Sequence, residues 1–282
     1  MTTRRHTNHG GTENTEVLSA TEPAPSDIAE ALALAGVRLG LFERQLRWYE
    51  LVESTNDIAT TAAELGAPEG LVVAANTQSS GRGRAGRSWS SPAGAGLYVS
   101  VLLHPTRDTL PLLTITAGVA IAEGIHAATG LDPAVKWPND VYVGSRKVAG
   151  ILAEAGSSSG AVDHVVLGFG INVRPSAYPA DVAARATSIE SELGRRVDRG
   201  LVLADCLVAL STRYAMLQNG AGAEVIAAWR TRAAGHMGRP VELDAQGGPR
   251  RGVAHDIDAA GALLVRVDDQ LVRVVSGEVR WL

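Results

Sequence analysis

Apolar positions along the chain change their spacing twice, and the changes predict its elements. Residues 28–36 carry helical spacing and stop at Gly36, a residue suited to the end of a short amphipathic helix. Residues 46–53 predict a strand that feeds Ser54-Thr55-Asn56-Asp57, four good helix caps, ahead of a helical run over 58–65 that Gly66 and Pro68 end. Continuous apolar runs at 71–76 and 97–103 predict buried strands, and 112–129 a long apolar helix. A strand beginning at Val135 should break at Pro138, which lacks an N–H and holds its predecessor extended. Residues 141–143 and 147–154 predict a hairpin around Gly144-Ser145, and 162–173 a further strand. Helical spacing returns over 183–193, 201–219 and 223–234. After Gly235 the period falls to two. Short alternating runs at 241–243, 252–257, 262–267 and 271–275, with turns at 258–261 and Asp268-Asp269, predict a small β-barrel over residues 238–282.

Composition adds bounds to this picture. With 282 residues, 45% of them hydrophobic, the chain suits one large core, at 27–237, plus the small β appendage. Residues 1–26 lack the apolar stretch of a signal peptide and are expected to form a disordered tail. No apolar run reads as approaching the roughly 20 residues that cross a bilayer, so no membrane partner is expected. Cys206 is the single cysteine and lies in an apolar helical run; a buried thiol and a reducing cytoplasm follow as expectations. A net charge of −4 excludes a surface that is basic throughout.

The candidate chemistry is local. Between Gly81 and Arg87 three glycines alternate with three arginines, and Trp89 closes the run. Glycine allows close approach of backbone to a ligand, and arginine brings a permanent planar cation, so the stretch reads as a mobile loop closing over an anion. The chain has only two lysines, Lys136 and Lys147, against a background of arginine. A compact ammonium and a guanidinium fork are not interchangeable in a tight site, which makes both lysines functional candidates. The strand-to-helix corner Ser54-Thr55-Asn56-Asp57 can cap a helix and also turn hydroxyls, an amide and N–H groups to a ligand. The break at Pro138 should present Lys136, Asn139 and Asp140 at a strand end. Gly150, Gly168 and Gly170 weaken their strands, which is tolerable where a ligand packs on the backbone.

Five motifs occur in order: Ser54-Thr55-Asn56, Gly81-Arg82-Gly83-Arg84-Ala85-Gly86-Arg87-Ser88-Trp89, Lys136-Trp137-Pro138-Asn139-Asp140, Lys147-Val148-Ala149-Gly150-Ile151-Leu152 and Gly168-Phe169-Gly170-Ile171-Asn172-Val173. In them the chain resembles the biotin protein ligases over residues 46–282. The resemblance implies an α+β fold, a mixed β-sheet flanked by helices of the class II aminoacyl-tRNA-synthetase-like, biotin–lipoate ligase type, with an SH3-like β-barrel at the end. It implies activation of biotin with ATP and Mg²⁺ to biotinyl-5′-AMP, then transfer to a lysine of a biotin carboxyl carrier domain. By the same resemblance Ser54, Thr55, Asn56, Gln78, Gly81, Arg82, Gly83, Arg84, Lys147 and Gly150 surround biotin. Arg84, Arg87, Trp89, Lys136, Asn139 and Asn172 serve ATP. Lys147, Arg82 and Arg84 offset charge during activation, and Asp140 orients or accepts the proton of the incoming lysine. No protein cage for a metal is evident, as suits an ion carried by nucleotide phosphates. The chain resembles the monofunctional members that bind no DNA, and a monomer or weak homodimer is expected. Ala85 departs from the basic residue or glycine common in the loop, Phe169 is bulkier than the usual aliphatic, and Gly277-Glu278-Val279-Arg280 matches the pattern only loosely. The rival readings are a lipoate ligase of the same fold and an RNA-binding module built on the Gly-Arg run. For the latter the chain has few aromatics, 4%, to stack on bases.

Overall fold

In a computed structural model of the protein, residues 21–157, 162–176, 178, 180–245, 248–275 and 279–282 are described. The expected tail therefore lies outside the described residues as far as residue 20, and by Glu22 the backbone is already bridged to Trp48. Helix α1 (Ser26–Ala35) passes into a 3₁₀ stretch, Gly36–Phe42. The chain continues with β1 (Leu46–Val52), α2 (Thr55–Glu64), β2 (Val72–Gln78), β3 (Gly96–Leu103), α3 (Leu113–Thr129), β4 (Ala134–Lys136), β5 (Asp140–Val143), β6 (Arg146–Gly156) and β7 (His164–Asn172). Helices α4 (Ala180–Ala183), α5 (Ile189–Leu193), α6 (Arg199–Gln218) and α7 (Gly222–Ala233) precede the strands β8 (Pro240–Ala245), β9 (Gly248–Ile257), β10 (Leu263–Val267), β11 (Gln270–Val274) and β12 (Val279–Trp281).

The first seven strands form one mixed sheet in the order β1-β2-β3-β7-β6-β5-β4, parallel only between β1 and β2. Both faces of its centre are covered, which is why β2 and β3 read as apolar runs rather than alternations. Val73, Ala75 and Leu102 pack against Ile58, Ala59 and Ala62 of α2. Val72, Ala74, Val99 and Val101 point the other way, into the main core with α1, α3 and α6. There α3 and α6 come close because Gly124 has no side chain: a Cβ would lie 2.5 Å from the backbone nitrogen of Cys206. Cys206 is fully buried, as its neighbours implied.

Three expectations change. The helix expected over 183–193 is two short ones, because Ala186 bridges to Lys147 and Ser188 restarts the helix, its hydroxyl accepting from Ser191 N–H. The strand expected from 162 begins at His164. Two helices, Leu110–Thr129 (α3 with its leading 3₁₀ turn) and Arg199–Gln218, are long and apolar enough to cross a membrane by length and composition. Their apolarity goes into the core, where they pack on each other.

The last five strands make a separate antiparallel sheet, β11-β10-β9-β8-β12. Its inner residues, among them Val241, Ala254, Ile257 and Val265, belong to the same continuous core as the large sheet. Trp137 pins the two units together: its indole N–H donates to the carbonyl of Gly261 at 3.0 Å.

Candidate active site

Beyond the part of the sheet that α2 covers, β5, β6 and β7 floor a groove of about 1010 Å³ walled by the start of α2, the loop of residues 79–91 and the last strand, β12. Every residue the sequence offered as a site candidate lines it except Asp57 and Gly81. Gly81 lies beneath the turn, where a Cβ would sit 2.5 Å from the carbonyl oxygen of Trp89.

The first wall is a buried polar chain. Ser54 occupies the N-cap position of α2 but makes no side-chain cap bond. Gln78 Oε1 accepts from Thr55 N–H and Oγ1 at 2.9 and 3.1 Å, and Gln78 Nε2 donates to Ser91 Oγ at 2.8 Å. Ser100 Oγ lies 2.8 Å from Thr55 Oγ1 and 2.5 Å from Asn56 Oδ1, while Asn56 Nδ2 donates to Glu154 at 2.5 Å. The helix start, β3, β6 and the loop are thereby tied into one hydrogen-bonded unit.

The loop itself is a compact turn. Gly83 N–H donates to Arg87 C=O at 2.6 Å, and Trp89 N–H to Gly81 C=O at 2.8 Å. Ala85 takes φ 55, the left-handed region where glycine is at ease and other residues are strained, which accounts for glycine's suitability at this position. Arg82 reaches Asp57 at 2.5 Å and Glu154 at 2.9 Å. Burial pulls its pKa down, but the hydrogen bonds to these two carboxylates outweigh it and hold the guanidinium above its ordinary value. Its charge is thus compensated by two carboxylates, unlike the open cation the sequence suggested.

The floor joins Gly150 to Gly170 across β6 and β7. A Cβ on Gly170 would lie 2.5 Å from Cε2 of the Trp89 ring, so the glycine is what lets the indole pack against the strand. Trp89, expected to serve ATP, rests on this floor with its indole N–H buried and unpartnered. Lys147 Nζ lies 5.1 Å from the Trp89 ring centroid and 2.6 Å from Asp140 Oδ1. The backbone of Lys147 is fixed in turn by Arg185 C=O and Thr187 N–H, at 2.8 and 2.9 Å. The two residues taken separately as cation and proton acceptor are therefore one pair.

At the far end Asn139 donates to Ile151 C=O at 2.6 Å and accepts from Arg84 at 3.4 Å. Arg87, largely exposed, donates to Arg84 C=O at 3.4 Å. Asn172 donates to Thr187 C=O at 3.0 Å, so its amide anchors the segment before α5. Lys136 Nζ sits between the rings of Tyr142 and Trp281, 4.8 and 5.2 Å from their centroids. Arg280, loosely matched by sequence, leans toward Glu242 at 3.7 Å, and Gly277 and Glu278 lie outside the described residues. Residues 48–172 match the family model for the biotin/lipoate A/B protein ligase family, and residues 236–280 the model for the biotin protein ligase C-terminal domain. The bifunctional ligase/repressor BirA of Bacillus subtilis is 30% identical over 259 residues, 90% of this chain and 79% of that protein. A biotin–[acetyl-CoA-carboxylase] ligase of Mycobacterium tuberculosis is 34% identical over 244 residues, 84% of this chain and 88% of its own length.

The chain belongs to the biotin protein ligase family.

A solved member of that family, the Aquifex aeolicus biotin protein ligase in complex with biotin and ATP, superposes with a TM-score of 0.74 at 29% identity, over 85% of this chain and 99% of that one. The sequence named Asp57 only as part of the capping corner, and Ser100, Glu154, Tyr142 and Trp281 not at all as site residues. Glu154 carried a signal: it falls on the same face of β6 as Gly150 and Leu152 by simple alternation. Trp281 carried none, because its place depends on the second unit docking beside β5. Among the described residues no group of three or more His, Cys, Asp or Glu side chains could hold a metal ion. Among the described residues that line the groove the one carboxylate is Asp140, a donor set that fits a hard cation held chiefly by phosphate oxygens and water.

Proposed function

We propose that this groove joins biotin to ATP and then passes the biotinyl group to a lysine of a biotin carboxyl carrier domain, in the cytoplasm. In the first step a biotin carboxylate oxygen attacks the α-phosphorus, and the bond to the bridging oxygen breaks, giving biotinyl-5′-AMP and pyrophosphate. In the second, the carrier lysine amine attacks the acyl carbon, loses a proton, and AMP leaves. The observation that carries the reading is the Lys147–Asp140 pair, 2.6 Å apart, set over paired backbone glycines beneath the arginine loop.

The physical task is to bring a carboxylate to a polyphosphate. Preorganised cations offset the repulsion without reorganising as the reaction proceeds. Lys147 is held rigidly by its backbone and by Asp140, which suits it to the carboxylate and α-phosphate. Arg84, braced by Asn139, and Lys136 face the phosphate end. Thr55, Asn56 and Gln78 offer the polar groups for the ureido ring. Closure of the arginine loop that carries Trp89 would exclude water from the mixed anhydride. Magnesium, carried by the nucleotide with Asp140 the carboxylate at hand, would screen phosphate charge. Asp140, held beside Lys147, is the carboxylate that orients or accepts the proton of the incoming amine.

Mass spectrometry of a biotin carboxyl carrier domain incubated with the protein, ATP, Mg²⁺ and biotin tests this. One biotinyl group on one lysine is expected. No transfer, or transfer of lipoate in preference to biotin, would overturn the reading.

A further inference from the structure

Lys136 differs from its groove neighbours. Arg82 is paired with Asp57 and Glu154, and Lys147 with Asp140. Lys136 Nζ makes no ion pair or hydrogen bond among the described residues and rests instead on two aromatic faces. One ring, Tyr142, belongs to β5 of the large sheet. The other, Trp281, comes from the final strand of the small sheet, where it pairs with Val241. His236, just after α7, closes the back of the arrangement, its ring edge-on to Tyr142 at 5.6 Å and tilted to Trp281 at 5.8 Å. It is buried, and neither of its nitrogens has a partner. The nearest carboxylate whose charge is felt at Lys136, that of Asp140, is already paired with Lys147.

We propose that Trp281 is a positioning residue: with Tyr142 it cages the Lys136 ammonium, unpaired and aimed into the groove, to receive a phosphate of the incoming nucleotide. This inference rests on the nucleotide-activating reading above. A flexible lysine would find a carboxylate or spread over many rotamers. An aromatic face holds a cation by its quadrupole without neutralising it, so the full charge remains available to the phosphate. Burial pushes the Lys136 pKa down, opposed by the Asp140 charge and reinforced by Arg239 and Lys147, so a bound anion has the further effect of restoring its proton affinity. The last strand, which walls the groove, thereby acts on the chemistry through Lys136.

With only Lys136 and Lys147 in the sequence, reductive methylation with ¹³C-formaldehyde gives two side-chain signals, assigned by Lys136→Arg and Lys147→Arg. In the parent the Lys136 methyl signal should be shifted upfield by its two rings and should move on titration with MgATP. Trp281→Leu should return it toward the position of a free lysine, leave the Lys147 signal in place, and raise the MgATP midpoint about tenfold, the scale of a desolvated cation–π contact. Trp281→Phe, which keeps a ring, should stay within about twofold of the parent, and biotin affinity should be the same in all three. Thermal melts of each variant show that it is folded. Equal MgATP midpoints for Trp281→Leu and the parent, or equal loss in Leu and Phe variants, overturn the inference. A parent that binds MgATP through Lys136 but forms no biotinyl-AMP overturns the proposed function and leaves the cage standing.

Discussion

Lys147 concentrates the demands of the site in one ammonium, which meets Asp140 at 2.6 Å while lying over the Trp89 ring. A guanidinium is planar and wider, and its charge is spread over a fork that cannot enter that angle between carboxylate and indole. Lys147→Arg should therefore lower biotin-dependent pyrophosphate release about 100-fold or more, the scale of losing one preorganised electrostatic group, although formal charge is kept. Near-parental release would remove Lys147 from the proposed role. His236 makes a second prediction at this scale. Burial, then the neighbouring charges of Lys136 and Arg239, push its pKa down to about 4. The folded protein thus keeps the ring neutral where the unfolded chain, with its ordinary pKa near 6.5, takes up a proton. Stability should fall as pH drops from 6.5 toward 4, by about 2 kcal/mol between pH 7 and pH 5 from this group alone. Urea midpoints at the two pH values should show a smaller acid loss in His236→Phe, which keeps an aromatic edge against Tyr142 and Trp281 but cannot charge.

At the scale of elements, the arginine loop is held by contacts from two directions. Arg82 bridges the start of α2, through Asp57, to β6, through Glu154. All three side chains are partly exposed, so solvent screens the pairs and each contributes modestly. Glu154→Gln should weaken one of them while leaving a carbonyl for Asn56, and limited trypsin digestion should cut after Arg82 about threefold faster. An unchanged cleavage pattern would mean that the backbone turn at Gly83 and Arg87 alone closes the loop. Glu154 also marks how far the sequence could be read. The strands and long helices were legible because burial on a sheet or helix face leaves a period in the chain, and the motifs were legible because their residue types cluster. Pairings between motifs were not. Nothing in the order of residues says that Arg82 finds two carboxylates, that Lys147 and Asp140 are partners, or that Trp89 lies on Gly170. Those depend on strand register, which places Gly150 opposite both Asp140 and Gly170. The 183–193 segment was misread for the same reason: its helical spacing is interrupted by a bridge to Lys147, a partner far away in sequence.

Over the whole molecule the two sheets share one continuous core, reaching from Ile28 to Val267. Three contacts reinforce the junction: Trp137 to Gly261, Arg230 to Asp256 at 2.8 Å, and the stacking of Lys136 on Trp281. The motif tryptophan is thus structural, while its neighbour Lys136 is chemical, and one docking event sets both. A shared core makes the units unfold together, so urea denaturation followed by tryptophan fluorescence and by far-ultraviolet circular dichroism should give coincident single transitions. Trp137→Phe deletes the indole N–H and leaves the buried Gly261 carbonyl without its donor, a loss of about 1–3 kcal/mol. The midpoint should shift accordingly with the slope unchanged, since the surface exposed on unfolding is the same. Trp137 lines the groove, but the bond it loses is to Gly261, in the turn between β9 and β10. Phe keeps an aromatic ring at the lining, so the same variant should bind biotin normally. Its MgATP affinity should fall only as far as the tilt of the small sheet withdraws Trp281 from Lys136. A second, separate transition in the parent protein would show instead that the small sheet folds on its own, and that the junction at Trp137 aligns two finished units.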